Sequence, residues 1–175
     1  MINVVVKTAN EIIKECFPDS VVYGVATPTN TKDSDGKIST IPVIVDFNGE
    51  CQYIDPEDNN ILTVYHRLIS SQYPQVNKGV GDGKAASIVY DMILVCFGSR
   101  RKSKKTVDEV ERKILSSIPI KISGANISFI SSDFDQNRIM SSEFPNVENF
   151  LTPEQFLFSM RYRITCNYNS KSCII

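Results

Sequence analysis

A single histidine, His66, is all the imidazole this chain has. A multi-histidine metal centre is therefore excluded, and a histidine-based nucleophile could be built only around that position. No stretch approaches the ~20 apolar residues that span a bilayer. The opening MINVVVKTANEIIKE has no basic region leading into an uninterrupted apolar run, so neither a membrane anchor nor a secretory signal is expected. Net charge is −1, from 19 basic and 20 acidic side chains, which removes any global electrostatic case for nucleic acid. The cysteines, Cys16, Cys51, Cys96, Cys166 and Cys173, are scattered and odd in number, without a CxxC pair. Neither a zinc site nor a disulfide framework is expected of them. The first four are expected to be reduced core residues of a protein made in a reducing compartment.

Phosphate-loop and serine-nucleophile motifs are missing too. In NKGVGDGK, Asn77 to Lys84, three residues separate Gly79 from Gly83-Lys84 where four are needed, and Ala85 stands where a magnesium-binding hydroxyl belongs. The paired serines, such as Ser70-Ser71 and Ser116-Ser117, sit in no GxSxG elbow. Cys173 is third from the end, one place short of a prenylation signal.

What the sequence does contain is periodicity. From Phe156 onward, Phe156, Phe158, Met160, Tyr162, Ile164 and Cys166 alternate with Leu157, Ser159, Arg161, Arg163 and Thr165, the period of two that marks a half-buried strand. Val5, Val6, Ala9, Ile12, Ile13 and Cys16 recur at steps of three and four, which predicts a helix over about 3–16. Val21 to Ala26 reads as a short strand. The polar TPTNTKDSDGKIST, Thr27 to Thr40, is expected to be an exposed loop or long hairpin tip. Ile41 to Phe47 and Glu50 to Ile54 flank Asn48-Gly49, a hairpin signal. Ile61, Tyr65, Leu68, Ile69 and Gln72 suggest a helix over 61–72, with His66 on its surface, although Thr63 and Val64 also permit a strand. SIVYDMILVCF, Ser87 to Phe97, suits a central strand. Thr106 with Glu109 forms a capping box ahead of a helix carrying Val110, Ile114 and Ile118. One or two strands turn about Ser123-Gly124, and Asp133 to Asn149 reads as loop with at most a helical turn. Together these elements predict one α+β domain over 1–175, a single mixed, mainly antiparallel, curved sheet packed against two or three helices.

Three groups of residues are candidates for function. Arg100, Arg101, Lys102, Lys104 and Lys105 concentrate five cations in six residues, suited to DNA phosphates or an acidic partner and sensitive to salt. The loops bearing Lys32, Asp33, Asp35 and Lys37, and Lys78, Asp82 and Lys84, are candidate intersubunit or adaptor contacts. Scattered carboxylates such as Asp46, Glu50, Asp91 and Asp133, with Lys84, are candidates from which a metal-dependent nuclease could be assembled.

The helix Ile2 to Cys16, the IPVIVDFNGECQYI hairpin, SIVYDMILVCFG, TVDEVERKILSSI and QFLFSMRYRIT together give an element order that resembles the tail-terminator, tail-completion and neck-ring (head-tail connector) proteins of tailed bacteriophages. The resemblance implies a structural virion component, synthesised in the host cytoplasm and placed in the neck or tail. It implies an oligomeric ring of identical copies contacting other neck or tail proteins around the DNA channel, with no membrane, no catalytic residue and no cofactor. A metal-dependent nuclease and a monomeric protein-binding adaptor are the rival readings.

Overall fold

The computed structural model describes residues 2–32, 34–45, 50–55, 60–73, 85–147 and 151–169. Among these, eight strands join into one sheet of order β3-β2-β1-β4-β5-β8-β7-β6, with four helices, one of them a single turn. The expected α+β class, a curled mixed sheet with helices packed on it, is what the chain forms. Only β1 (Val21–Lys32) against β4 (Thr63–Gln72) is parallel; every other neighbour is antiparallel.

Two long strands make the centre of the sheet. β5 (Ala85–Ser99) and β8 (Gln155–Asn169) run antiparallel in unbroken register from Ala85↔Asn169 to Ser99↔Gln155. The alternation seen in the sequence of β8 follows from its two faces meeting different surroundings. Phe156, Phe158, Met160, Ile164 and Cys166 face α1 (Ile2–Cys16) and α3 (Val107–Ser117), together with Leu94, Cys96, Ile13, Val110 and Ile114. On the opposite face, Leu157 joins Tyr65, Val95 and Phe97 beneath α4 (Gln136–Glu143), a core closed by Ile139, Met140 and Phe144. Past α4 that face turns polar, and Arg161 and Arg163 stand exposed.

The capping box is present as the sequence predicts: Thr106 Oγ1 accepts from Glu109 N at 3.3 Å, and Glu109 Oε2 accepts from Thr106 N at 2.7 Å. The amide of Thr106, its hydroxyl and the nearby Lys105 and Arg112 hold the Glu109 carboxyl below the usual carboxylate range. Ser123 and Gly124, both with positive φ, make the tight turn between β6 (Lys121–Ile122) and β7 (Ala125–Asp133).

Four expectations need correction. Residues 63–72 are a strand, not a helix: β4 lies between β1 and β5, and Thr63, Val64, Tyr65 and His66 are all buried because both faces are covered there. A strand covered on both sides loses its period-two signature, and the apolar spacing then imitates a helix. The expected loop Thr27–Thr40 is largely strand. β1 continues to Lys32 and pairs with β2 (Ile38–Val45) from Thr27↔Val43 to Lys32↔Ile38, leaving only a short turn. Pro28 and Pro42 stand opposite each other in this ladder. A pair that exchanges no ladder hydrogen bonds tolerates two missing N–H groups.

Residues 136–143 form a full helix where loop was expected. Its N-cap is Asp135, whose side chain accepts from Arg138 N at 3.1 Å. Finally, Cys96 and Cys166 are buried as expected, but Cys16 is only half-buried and Cys51 is exposed at the start of β3 (Cys51–Tyr53). Asn48-Gly49, the Asn77–Lys84 loop and Cys173 lie outside the described residues.

Candidate functional site

The basic segment folds into a defined turn at the end of β5. Ser99 caps α2 (Arg100–Ser103), accepting from Lys102 N at 3.3 Å, and Lys104 closes it in the left-handed conformation at φ 53°. Arg100 is fastened to the start of β8, its backbone N donating to Glu154 O at 2.7 Å and its Nε to Gln155 O at 3.1 Å. Arg100, Arg101, Lys102, Lys104 and Lys105 are all exposed, so the structure gathers the five cations on one corner of the molecule.

Of the candidate contact loops, Lys32, Asp35 and Lys37 are exposed around the β1–β2 turn, where Gly36 takes φ +83°. The parallel register of β1 with β4 places that turn at the opposite end of the sheet from the basic corner. Asp33, Lys78, Asp82 and Lys84 lie outside the described residues.

The described members of the carboxylate set, Glu50, Asp91 and Asp133, do not form a metal-holding group. Asp91 is held by Arg163 through Nε at 2.8 Å and Nη2 at 3.3 Å, and it accepts from Ser70 Oγ at 3.3 Å. Those bonds keep its carboxyl below the usual range despite some burial. Asp133 is tied to Arg138 at 2.6 Å and is lowered in the same way. Glu50 is exposed beside β3, and Asp46 and Lys84 lie outside the described residues. Among the described residues, no three His, Cys, Asp or Glu side chains group in a way that could hold a metal ion.

Sequence reasoning missed a buried polar arrangement centred on His66. His66, expected on a helix surface, is 1% exposed on β4. Its Nε2 lies 2.8 Å from Asn10 Oδ1 and its Nδ1 lies 2.6 Å from the hydroxyl of Tyr162. Asn10 donates its amide to Tyr23 O at 2.8 Å, which turns its carbonyl oxygen toward the imidazole. Nε2 therefore carries the proton, and Nδ1 accepts from Tyr162. Burial pushes the His66 pKa down to about 3 and that of the Tyr162 phenol up, so both are neutral across the physiological range.

These two side chains lie at the polar end of a cavity of about 150 Å³. The rest of its wall is apolar: Val5, Val6 and Ala9 of α1, Leu115 and Ile118 at the end of α3, and Ile127 and Phe129 of β7. No element contributes more than three of these groups, so no local motif could have announced the site.

A second buried polar cluster joins α4 to β4. Glu143, 3% exposed, accepts from the Tyr65 hydroxyl at 3.2 Å and pairs with Arg67 at 2.8 Å.

The sheet edges complete the picture. β6 covers only Ala125 and Asn126 of β7, and Phe129, Ile130 and Phe134 beyond them are 46%, 46% and 47% exposed. At the other edge, Ile38, Val45 and Tyr53 are 55%, 59% and 54% exposed. β7 carries a bulge between Phe129 and Ser131, and Ile130 is the residue left without a partner in the β8 ladder.

No protein-family model matches the chain, and no curated protein matches it. Among the described residues, no helix is long and apolar enough to cross a membrane.

Proposed function

We propose that the protein is a structural component that assembles through its sheet edges into an oligomeric ring, and that the ring belongs to the neck or tail of a phage virion. The supporting observation is the pair of apolar edges. An incompletely covered strand with half-exposed Phe129 and Ile130, followed by half-exposed Phe134, at one end of the sheet is matched by Ile38, Val45 and Tyr53 at the other. Unlike edges on one subunit suit a head-to-tail contact, which closes into a ring when the rotation between copies allows it. The remaining features fit the same role. The basic corner offers contacts to DNA phosphates or to an acidic neighbour, and the turn at the far end of the sheet offers contacts to an adjoining component.

Native mass spectrometry and electron microscopy of the protein, alone and mixed with the products of its neighbouring genes, test this reading. A closed ring is the expected result, with Ile130→Lys preventing it. A monomer under every condition, or a ring indifferent to Ile130→Lys, overturns it. Charge reversal at Arg100, Arg101, Lys104 and Lys105 is expected to weaken retention of DNA or docking of an acidic partner. If neither changes, the role given to the basic corner falls.

A further inference from the structure

The cavity beneath α1 shares Phe129 with the β7 edge and is otherwise lined by residues given no part in assembly. Among the described residues its lining includes no Lys, Arg, Asp or Glu, and none of the lining residues would compensate the desolvation of a charged ligand. Its volume of about 150 Å³ is close to that of apolar protein cavities that accept a single benzene ring. Met160 and Phe129 belong to the wall, and thioether sulfur and ring edges both make favourable contacts with an aromatic guest.

The polar end is more selective still. Both nitrogens of His66 are already engaged, by Asn10 and by Tyr162. The Tyr162 hydroxyl spends its only hydrogen on His66, so it has lone pairs to offer and no proton. A guest reaching it must bring a donor. Ile120, 81% exposed in the short link between α3 and β6, and half-exposed Phe129 both belong to the wall, so the cavity is lined in part by side chains that reach solvent.

We propose that this cavity is a binding site for a neutral, single-ring aromatic molecule carrying one hydrogen-bond donor, a phenol, whose hydroxyl donates to Tyr162 while its ring lies between α1 and β7.

Titration of the whole protein with phenol, toluene and benzoate, followed by methyl NMR at Val5, Ala9, Leu115 and Met160, tests the proposal. Phenol and toluene have nearly the same size and differ in the donor; benzoate adds a charge. Saturable shifts are expected with phenol and toluene, with phenol binding about two- to tenfold more tightly for the one hydrogen bond it makes. Benzoate is expected to leave these methyls unmoved. Tyr162→Phe should abolish the preference for phenol while retaining toluene. Ala9→Leu, which fills the space from α1, should abolish binding of both. The comparison of the three compounds on the unaltered protein stands even if a variant does not fold. No saturable shift with phenol or toluene, equal affinity for the two, or benzoate binding as well as phenol would each overturn it.

Discussion

Replacing Glu143 by Gln keeps shape and hydrogen-bonding count while removing one buried charge, which isolates the electrostatic part of the α4–β4 junction. In the native protein one carboxylate oxygen accepts from Tyr65 at 3.2 Å, and the other accepts from Arg67 at 2.8 Å and from Ser142 at 3.0 Å. A glutamine can still accept from Arg67 through its oxygen and donate to the Tyr65 hydroxyl through its nitrogen. What is lost is charge assistance, the difference between about 1.5–3 kcal/mol for a hydrogen bond to an ionised group and about 0.5–1.5 kcal/mol for a neutral one. Arg67 is also left without its counter-charge, and its Nε is already buried without a partner.

Breaking a fully buried pair costs about 3–5 kcal/mol. Arg67 has 24% of its side chain exposed, so solvent screening lowers the figure, and we expect a loss of about 2 kcal/mol. For a domain of this size that corresponds to a fall in Tm of roughly 4–8 °C. Urea unfolding of the native protein, Glu143→Gln, Arg67→Met and the double variant, all at one protein concentration, measures both the loss and the coupling. A coupling of about 1 kcal/mol or more is expected. A Glu143→Gln loss below about 0.5 kcal/mol, or a coupling that small, would show that the pair behaves as an exposed one and refute the reasoning.

His66 should make the protein acid-sensitive well above the carboxylate range. Its folded pKa is lowered to about 3 from 6.5, so the unfolded chain takes up a proton below pH 6.5 that the folded chain refuses. Stability is then full above pH 6.5 and falls by about 1.4 kcal/mol per pH unit below it, reaching roughly 4–5 kcal/mol near pH 3. Glu109, Asp91 and Asp133, whose pKa values are lowered, add their own losses only below about pH 5, so urea midpoints between about pH 6.5 and 5.5 report on His66. His66→Gln should flatten that slope, and an unchanged slope counts against a buried neutral imidazole. Gly98→Ala is expected to cost about 3 kcal/mol, the upper end for overpacking. A Cβ there would collide with the carbonyl oxygen of Ile61 and lie 3.0 Å from its carbon and 3.1 Å from Leu62 Cα. A loss under 1 kcal/mol would mean that the 60–62 segment yields easily.

The elements legible in the sequence are those whose signal is local. β8 shows its two faces through alternation, α1 shows its stripe, and α3 is announced by Thr106 and Glu109. β4 was misread because its burial comes from β1, β5 and the layers above and below, which leaves Thr63–His66 without polar alternation. The same misassignment hid His66, since its partners Asn10 and Tyr162 are 56 and 96 residues away in the chain. The basic corner was visible because charge clusters in sequence; the cavity was not, because it is built from α1, α3, β4, β5, β7 and β8. α4 carried one readable sign, Asp135 followed by Ile139 and Met140, too brief to outweigh the polar residues around it.

The place of β8 has a consequence for how the protein is made. β8, the last of the described strands, is hydrogen-bonded on one side to β5 and on the other to β7, so it lies inside the sheet rather than at its rim. A nascent chain still emerging from the ribosome therefore holds two unfinished half-sheets, with Leu94, Cys96 and Ile127 waiting for partners that arrive last. Closure of so distant a pairing is slow and leaves sticky strand borders open meanwhile. Copies should join one another only after translation has passed Asn169, which separates the timing of folding from the timing of assembly.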